Sequence, residues 1–261
     1  MIKAAFFDID GTLLSFRDNL PTALTIKALN DLKAKGIKIF ISTGRSPSNL
    51  EYVHKAIPVE FDGKIMVNGQ YCIVGDKVVH EQFIPEEDLV KFIEFLDKEK
   101  FSCHFTTIDD LYINFVTDRV TELQKLLGRS LPNNKTAPAD FLCKQKIYQL
   151  CPYILEEEEI LAADYIPNCK FARWHPLFTD VIPKDGGKGT GIKKVCEYLG
   201  ITTDECIAFG DGGNDAEMLQ TVGIGVAMGN ARDDLKAIAD YVTTSVDEDG
   251  VYNALKHFNI L

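Results

Sequence analysis

The chain has 261 residues, 46% of them apolar, and a formal net charge of −11. That length and composition suit one large α/β domain or a medium domain with a smaller companion, and they argue against disorder. The negative balance argues against nucleic acid or an anionic membrane surface as partner, so a site for an anionic ligand has to supply its positive charge locally.

No apolar run approaches the length that spans a bilayer, and the first residues carry a strand pattern with acids instead of a secretory signal, which points to a cytoplasmic protein. The seven cysteines are scattered, with no CxxC pair, and suggest neither a disulfide framework nor a zinc site. In chain order, residues 2–7 form a short apolar strand, and residues 21–35 carry Leu24, Ala28, Leu29 and Leu32 at helical spacing, ended by Gly36. A β-branched strand at 37–41 and a helix-like stretch at 47–56 follow. Strand, helix, strand, helix predicts parallel strands joined by crossovers.

The pattern then changes. Residues 64–67 and 71–74 flank Asn68-Gly69, and Gly75-Asp76 leads into Val78-Val79, both dipeptides of the kind that join antiparallel strands. From Pro85 the sequence predicts an amphipathic helix (Leu89, Phe92, Ile93, Leu96), strands at 101–107 and 111–116, a helix at 117–127, a strand at 146–151, a helix at 156–163, and strands at 169–174 and 178–182. The parallel alternation returns with a helix at 191–199, a strand at 205–209, a helix from 215, a strand at 224–227, a helix from 231 and a strand at 241–243. The expected fold is α/β: a Rossmann-like core with a parallel sheet from residues 1–81 and 185–261, interrupted by an α+β insert at 82–184.

Four motifs fall where strands of the core run out, which in an open α/β sheet is the ligand-binding edge. The first is "FFDIDGTLL", in which Asp8 and Asp10 end a buried strand; turn chemistry accounts for one Asp, but a like-charged pair at one site is costly unless a cation or a reaction uses it. The second is "ISTGR", where Thr43, Gly44 and Arg45 offer a hydroxyl, a close-approach backbone and a guanidinium fork suited to a phosphoryl group. The third is "DGGKGTG" with Lys188, whose spacing is not that of a phosphate-binding P-loop. The fourth is "IAFGDGGNDAEML", with Asp211 beyond a strand and Asn214-Asp215 at the start of a helix; capping explains Asn214 or Asp215 but not Asp211. The nearby "GIGVAMG" has the look of a dinucleotide fingerprint, but its third glycine is misplaced and it follows no first strand.

Together these motifs, DxDGT, a strand ending in Ser-Thr, a Lys, and GDGxND in that order, resemble those of the haloacid dehalogenase superfamily, and the insert resembles the type-2 cap of its Cof-type sugar-phosphate phosphatases. The resemblance implies a Mg²⁺-dependent phosphatase for hexose or other sugar phosphates. Asp8 would be the nucleophile that forms an aspartyl-phosphate, and Asp10 the general acid and base. Asp8, Asp211 and the main-chain carbonyl of Asp10 would hold the metal. Thr43, Gly44, Arg45 and Asn214 would bind the phosphoryl group, Lys188 would neutralise it, and Asp215 would orient the Lys or a metal-bound water. Discrimination between esters would fall to the insert, where "KFARWHP" offers Arg173, Trp174 and His175 for stacking on a sugar ring and bonding its hydroxyls, although Trp174 also suits packing within an alternating strand. A phosphomutase on the same fold and, more remotely, a phospho-receiver are the alternative readings. The expected partner is a small phosphate ester, with no nucleic acid or membrane, on a monomer or weak homo-oligomer.

Overall fold

The computed structural model describes residues 1–127 and 135–261. The chain divides into two compact units, Met1–Glu81 with Gly186–Leu261, and Gln82–Asp185. The first begins with β1 (Ala4–Phe7), wholly buried, and α1 (Ala23–Ala34), whose start is fixed by the Thr22 hydroxyl accepting the Thr25 N–H at 3.1 Å. Helix α1 buries Thr25, Ala28, Leu29 and Leu32, one stripe at the i, i+3, i+4, i+7 spacing. Then come β2 (Lys38–Ser42), α2 (Glu51–Ala56), β3 (Gly63–Met66), β4 (Tyr71–Val74) and β5 (Lys77–Glu81).

The second unit runs through α3 (Glu86–Glu99), β6 (Cys103–Thr106), β7 (Leu111–Ile113), α4 (Asp118–Leu127), β8 (Lys135–Thr136), α5 (Ala139–Leu142), β9 (Gln149–Pro152), α6 (Glu156–Ala163), β10 (Cys169–His175) and β11 (Phe178–Pro183). Its six strands form one sheet, ordered β10-β11-β9-β6-β7-β8, antiparallel except at the β7–β8 edge. Register aligns Phe105 with Leu150, Leu150 with Val181, and Val181 with Phe171, so these four share a face. That face packs into one apolar core with Leu89, Phe92 and Leu96 of α3 and Ala162 of α6. The alternate residues His104, Thr106, Gln149 and Asp180 lie on the opposite face, which is polar yet buried.

The chain re-enters the first unit with α7 (Lys188–Leu199), β12 (Cys206–Gly210), α8 (Ala216–Thr221), β13 (Ile224–Ala227), α9 (Asp233–Ile238), β14 (Tyr241–Val242) and α10 (Gly250–His257). Its eight-stranded sheet is ordered β14-β13-β12-β1-β2-β3-β4-β5, parallel from β14 to β3, with β4 and β5 added antiparallel. The inner strands are continuous apolar runs because the sheet is covered on both faces, and stacked rings, Phe6 on Phe40 and Phe7 on Phe209, tie β1 to its neighbours at centroid distances of 5.0 Å. From β1 the chain builds outward to β2 and β3 on one side, and β12, β13 and β14 fill the other. The carboxyl ends of β1 and β12 therefore meet where the winding reverses, the place where such sheets hold ligands. Among the described residues no helix is long and apolar enough to cross a membrane.

Candidate active site

Asp8 directly follows β1, and its amide donates to Phe209 O of β12 at 3.0 Å, so it continues the ladder and arrives beside Asp211. Lys188, the first residue of α7, sends its wholly buried ammonium between two acids, with Nζ 2.6 Å from Asp8 Oδ1 and 2.6 Å from Asp215 Oδ1. The other oxygen of Asp215 accepts the Asp211 and Gly212 amides at 3.0 and 2.9 Å, which commits both of its oxygens to the protein. Asp211 accepts the Thr12 hydroxyl on Oδ1 at 3.2 Å and the Asn230 amide on Oδ2 at 3.2 Å.

Carboxylate oxygens of Asp8, Asp211 and Asp215 all lie within 4.8 Å of one another, with Lys188 the cation set among them. Burial pushes Asp8 up to about 7; Lys188 opposes the rise and Asp215 adds to it. Burial likewise raises Asp211 to about 8, with the charges of Asp8 and Asp215 contributing. Burial disfavours the charge of Lys188, but Asp215 and Asp8 outweigh it and hold the ammonium above its ordinary range. One cation among three acids leaves negative charge that a hard divalent cation would relieve. The all-oxygen set of Asp8, Asp211 and Asp215 fits one, and Asp215 in addition buttresses Lys188 and the 211–212 backbone.

Asp10 is a third exposed, and Arg45 grips it through both oxygens, Nε to Oδ2 and Nη2 to Oδ1, each at 2.9 Å. The Tyr52 hydroxyl donates to the same Oδ1 at 3.4 Å, and the guanidinium lies 4.9 Å from the centre of the Tyr52 ring. Arg45 was expected on a phosphoryl group; the structure gives its fork to Asp10 instead, because the two side chains converge from adjacent strand ends. The Thr43 hydroxyl accepts the Arg45 amide at 3.2 Å, and Thr43 O accepts the Asn68 amide at 3.0 Å.

Asn68 is half of the Asn-Gly dipeptide that turns the chain from β3 into β4. It has φ 52° and follows Val67 at φ 50°, a conformation that costs a β-branched residue on the order of 1–3 kcal/mol and that collects at functional sites. Its side chain packs against Gly44, and its Oδ1 accepts the Asn214 Nδ2 at 3.0 Å. Asn68 thus joins the second motif to the fourth. The local pattern marks Asn68 as a turn residue only and Tyr52 not at all; their places in the site are defined by partners far away in sequence.

The insert departs further from expectation. Arg173 donates to Glu159 Oε1 at 2.7 Å, to the carbonyls of His175, Pro176 and Phe178 at 2.9, 3.0 and 3.1 Å, and to Ile154 O at 2.8 Å, so its guanidinium is used in closing the β10–β11 hairpin. His175 Nδ1 accepts the Leu177 amide at 3.2 Å, and the ring stacks on Phe178 at 5.0 Å. Both residues make contacts within the turn. The Trp174 side chain lies outside the described residues.

A family model for haloacid dehalogenase-like hydrolases matches residues 5–255. The chain belongs to that family. This haloacid dehalogenase-like hydrolase is 36% identical over 260 residues to the Bacillus subtilis (strain 168) protein named "Putative phosphatase YkrA", covering 99% of this chain and 98% of that one. It is similar to the solved structure of the subclass IIB sugar phosphatase BT4131, with TM-score 0.88 and 40% identity over 99% of this chain and 100% of the other. It is similar also to that of the phosphatase BT1666 from Bacteroides thetaiotaomicron, with TM-score 0.93 and 36% identity over 100% and 96% of the two chains. As a member of this family the hydrolase is a phosphatase.

Proposed function

We propose that the enzyme hydrolyses small phosphate monoesters, in particular hexose or other sugar phosphates, by transferring the phosphoryl group to Asp8 in a Mg²⁺-dependent reaction. The observation that carries this reading is the Lys188 ammonium 2.6 Å from both Asp8 and Asp215, inside a cluster of carboxylates at the meeting of β1 and β12. Lys188 fixes the plane of the Asp8 carboxylate through Oδ1, so that one of its oxygens can be presented in line to phosphorus and the other to the cation. Asp215 keeps Lys188 in place. Mg²⁺, held by Asp8, Asp211 and, by the resemblance, the Asp10 carbonyl, would neutralise and align the phosphoryl oxygens.

Asp10 would give its proton to the leaving sugar oxygen and take one from the water that releases phosphate from Asp8, with Arg45 and Tyr52 aiming its carboxyl group. The Thr43 hydroxyl, the Gly44 amide, Asn214 and, newly, Asn68 would serve as donors for the phosphoryl oxygens. The sugar reading draws support from the 40% identical neighbour described as a sugar phosphatase. With Arg173 and His175 committed to a hairpin, the polar sheet face of His104, Thr106, Gln149 and Asp180 is the better candidate within residues 82–185 for reading sugar hydroxyls. A panel of phosphate esters with Mg²⁺, followed by release of inorganic phosphate, tests the reading. Turnover of hexose and pentose phosphates without an added bisphosphate is expected; release that requires an activating bisphosphate would instead indicate a phosphomutase.

A further inference from the structure

The segment GIGVAMGN, whose glycines resemble a nucleotide-binding pattern, has a different use in the fold. After β13 the Met228 amide donates to Gly210 O at 2.9 Å and the Gly229 amide to Thr244 O at 3.0 Å. A Cβ on Gly229 would stand 2.6 Å from Ser245 N, so glycine there lets the chain lie directly against 244–245. The next residue, Asn230, is thereby delivered to the carboxyl edge of β12.

Asn230 makes three hydrogen bonds from one side chain. Its Nδ2 donates to Gly11 O at 2.9 Å and to Asp211 Oδ2 at 3.2 Å, and its Oδ1 accepts the Val246 amide at 2.9 Å. Gly11 sits at φ 85°, where an added Cβ would stand 2.1 Å from Asp211 Oδ2. The DGT turn and the Asp211 carboxylate are thus in direct contact, and the two N–H groups of Asn230 span the junction.

We propose that Asn230 is a positioning residue for Asp211 and so sets the affinity of the site for Mg²⁺. The inference rests on the reading of Asp211 as a metal ligand. The terminal torsion of an aspartate is broad, so a carboxylate needs donors to hold its plane. Here Thr12 pins Oδ1 from the buried side, and Asn230 pins Oδ2 from the solvent side while leaving lone pairs for a cation. Partners of this kind are worth roughly 10–100-fold in metal affinity. Because Asn230 is exposed, its truncation opens no cavity, and the lower end of that range applies.

The test compares wild type with Asn230→Ala, titrating Mg²⁺ by calorimetry without substrate, alongside the metal-free melting temperature and the Mg²⁺ dependence of turnover. The expected result is a Kd for Mg²⁺ raised about tenfold, a metal-free melting temperature lowered by the loss of the bonds to Gly11 and Val246, and a kcat restored at saturating Mg²⁺. An unchanged Kd, whether or not the melting temperature falls, overturns the proposal and leaves Asn230 as a structural link to Val246. If wild type itself takes up no Mg²⁺, the metal reading of Asp211 fails first, and the inference fails with it.

Discussion

Lys188 in the first unit and Arg173 in the second are both cations closed in by protein acceptors, yet their surroundings balance differently. Arg173 faces one carboxylate, Glu159, and four carbonyls, a complete set of partners for a planar fork and one with no net charge left over. Lys188 faces Asp8 and Asp215 with Asp211 close by, so its pocket holds more acid than base, and burial drives Asp8 and Asp211 up to about 7 and 8. Folding alone does not favour such an imbalance, since uncompensated buried charge is costly. A satisfied cation marks scaffold; an unsatisfied acidic surplus marks chemistry.

The strongest way to break this contrast is Asp8→Asn, which keeps the shape of the side chain and removes the attacking charge. Turnover is expected to fall by several orders of magnitude with the fold intact, at roughly 1.4 kcal/mol per tenfold; residual activity above about a tenth would remove Asp8 as nucleophile. Next in size is metal removal. EDTA should silence the enzyme and Mg²⁺ should restore it, while Ca²⁺, with its longer bonds and higher coordination, should restore it poorly. Full activity after exhaustive chelation would show that the acidic surplus is not there for a cation.

A smaller and more selective effect is expected from Asp10→Asn. Hydrolysis of a sugar phosphate, whose alkoxide needs a proton, should suffer more than hydrolysis of nitrophenyl phosphate, whose leaving group does not. Equal losses on the two substrates would refute the acid role. The smallest effect on activity belongs to Arg173→Met, which sharpens the scaffold side of the comparison. It should lower stability by about 2 kcal/mol through the orphaned carbonyls and Glu159, seen as a lower melting temperature, and leave KM for hexose phosphates near wild type below the transition. A KM raised several-fold for hexose phosphates but not for acetyl phosphate would return Arg173 to substrate recognition.

What could be read in advance follows the range of the interactions. The alternation that yields β1, α1 and β2, and the acids ending β1 and β12, are local patterns, and local patterns survive in a single sequence. The pairing of Arg45 with Asp10, the bridge from Asn214 through Asn68 to Thr43, and the link of Asn230 to Asp211 and Val246 join residues whose neighbours in sequence say nothing of their partners. Asn68 is instructive: Asn-Gly signals a hairpin turn with positive φ, and the structure has both, but the positive φ of buried Val67 was not in the local signal. Arg173 shows the converse, with partners that its neighbours in sequence do not announce. An Arg beside an aromatic in a strand looks like a ligand group until its acceptors are identified.

The central claim, that the acidic surplus around Lys188 serves covalent phosphoryl transfer to Asp8, is tested most directly by quenching the enzyme in acid during turnover of a hexose phosphate with Mg²⁺ and examining its peptides by mass spectrometry. The account predicts one phosphoryl group on the peptide that carries Asp8, stable in acid, released by hydroxylamine, and missing from Asp8→Asn. A phosphoryl group on a different residue, or wild-type peptides free of phosphate while Asp8→Asn still turns over, would contradict it.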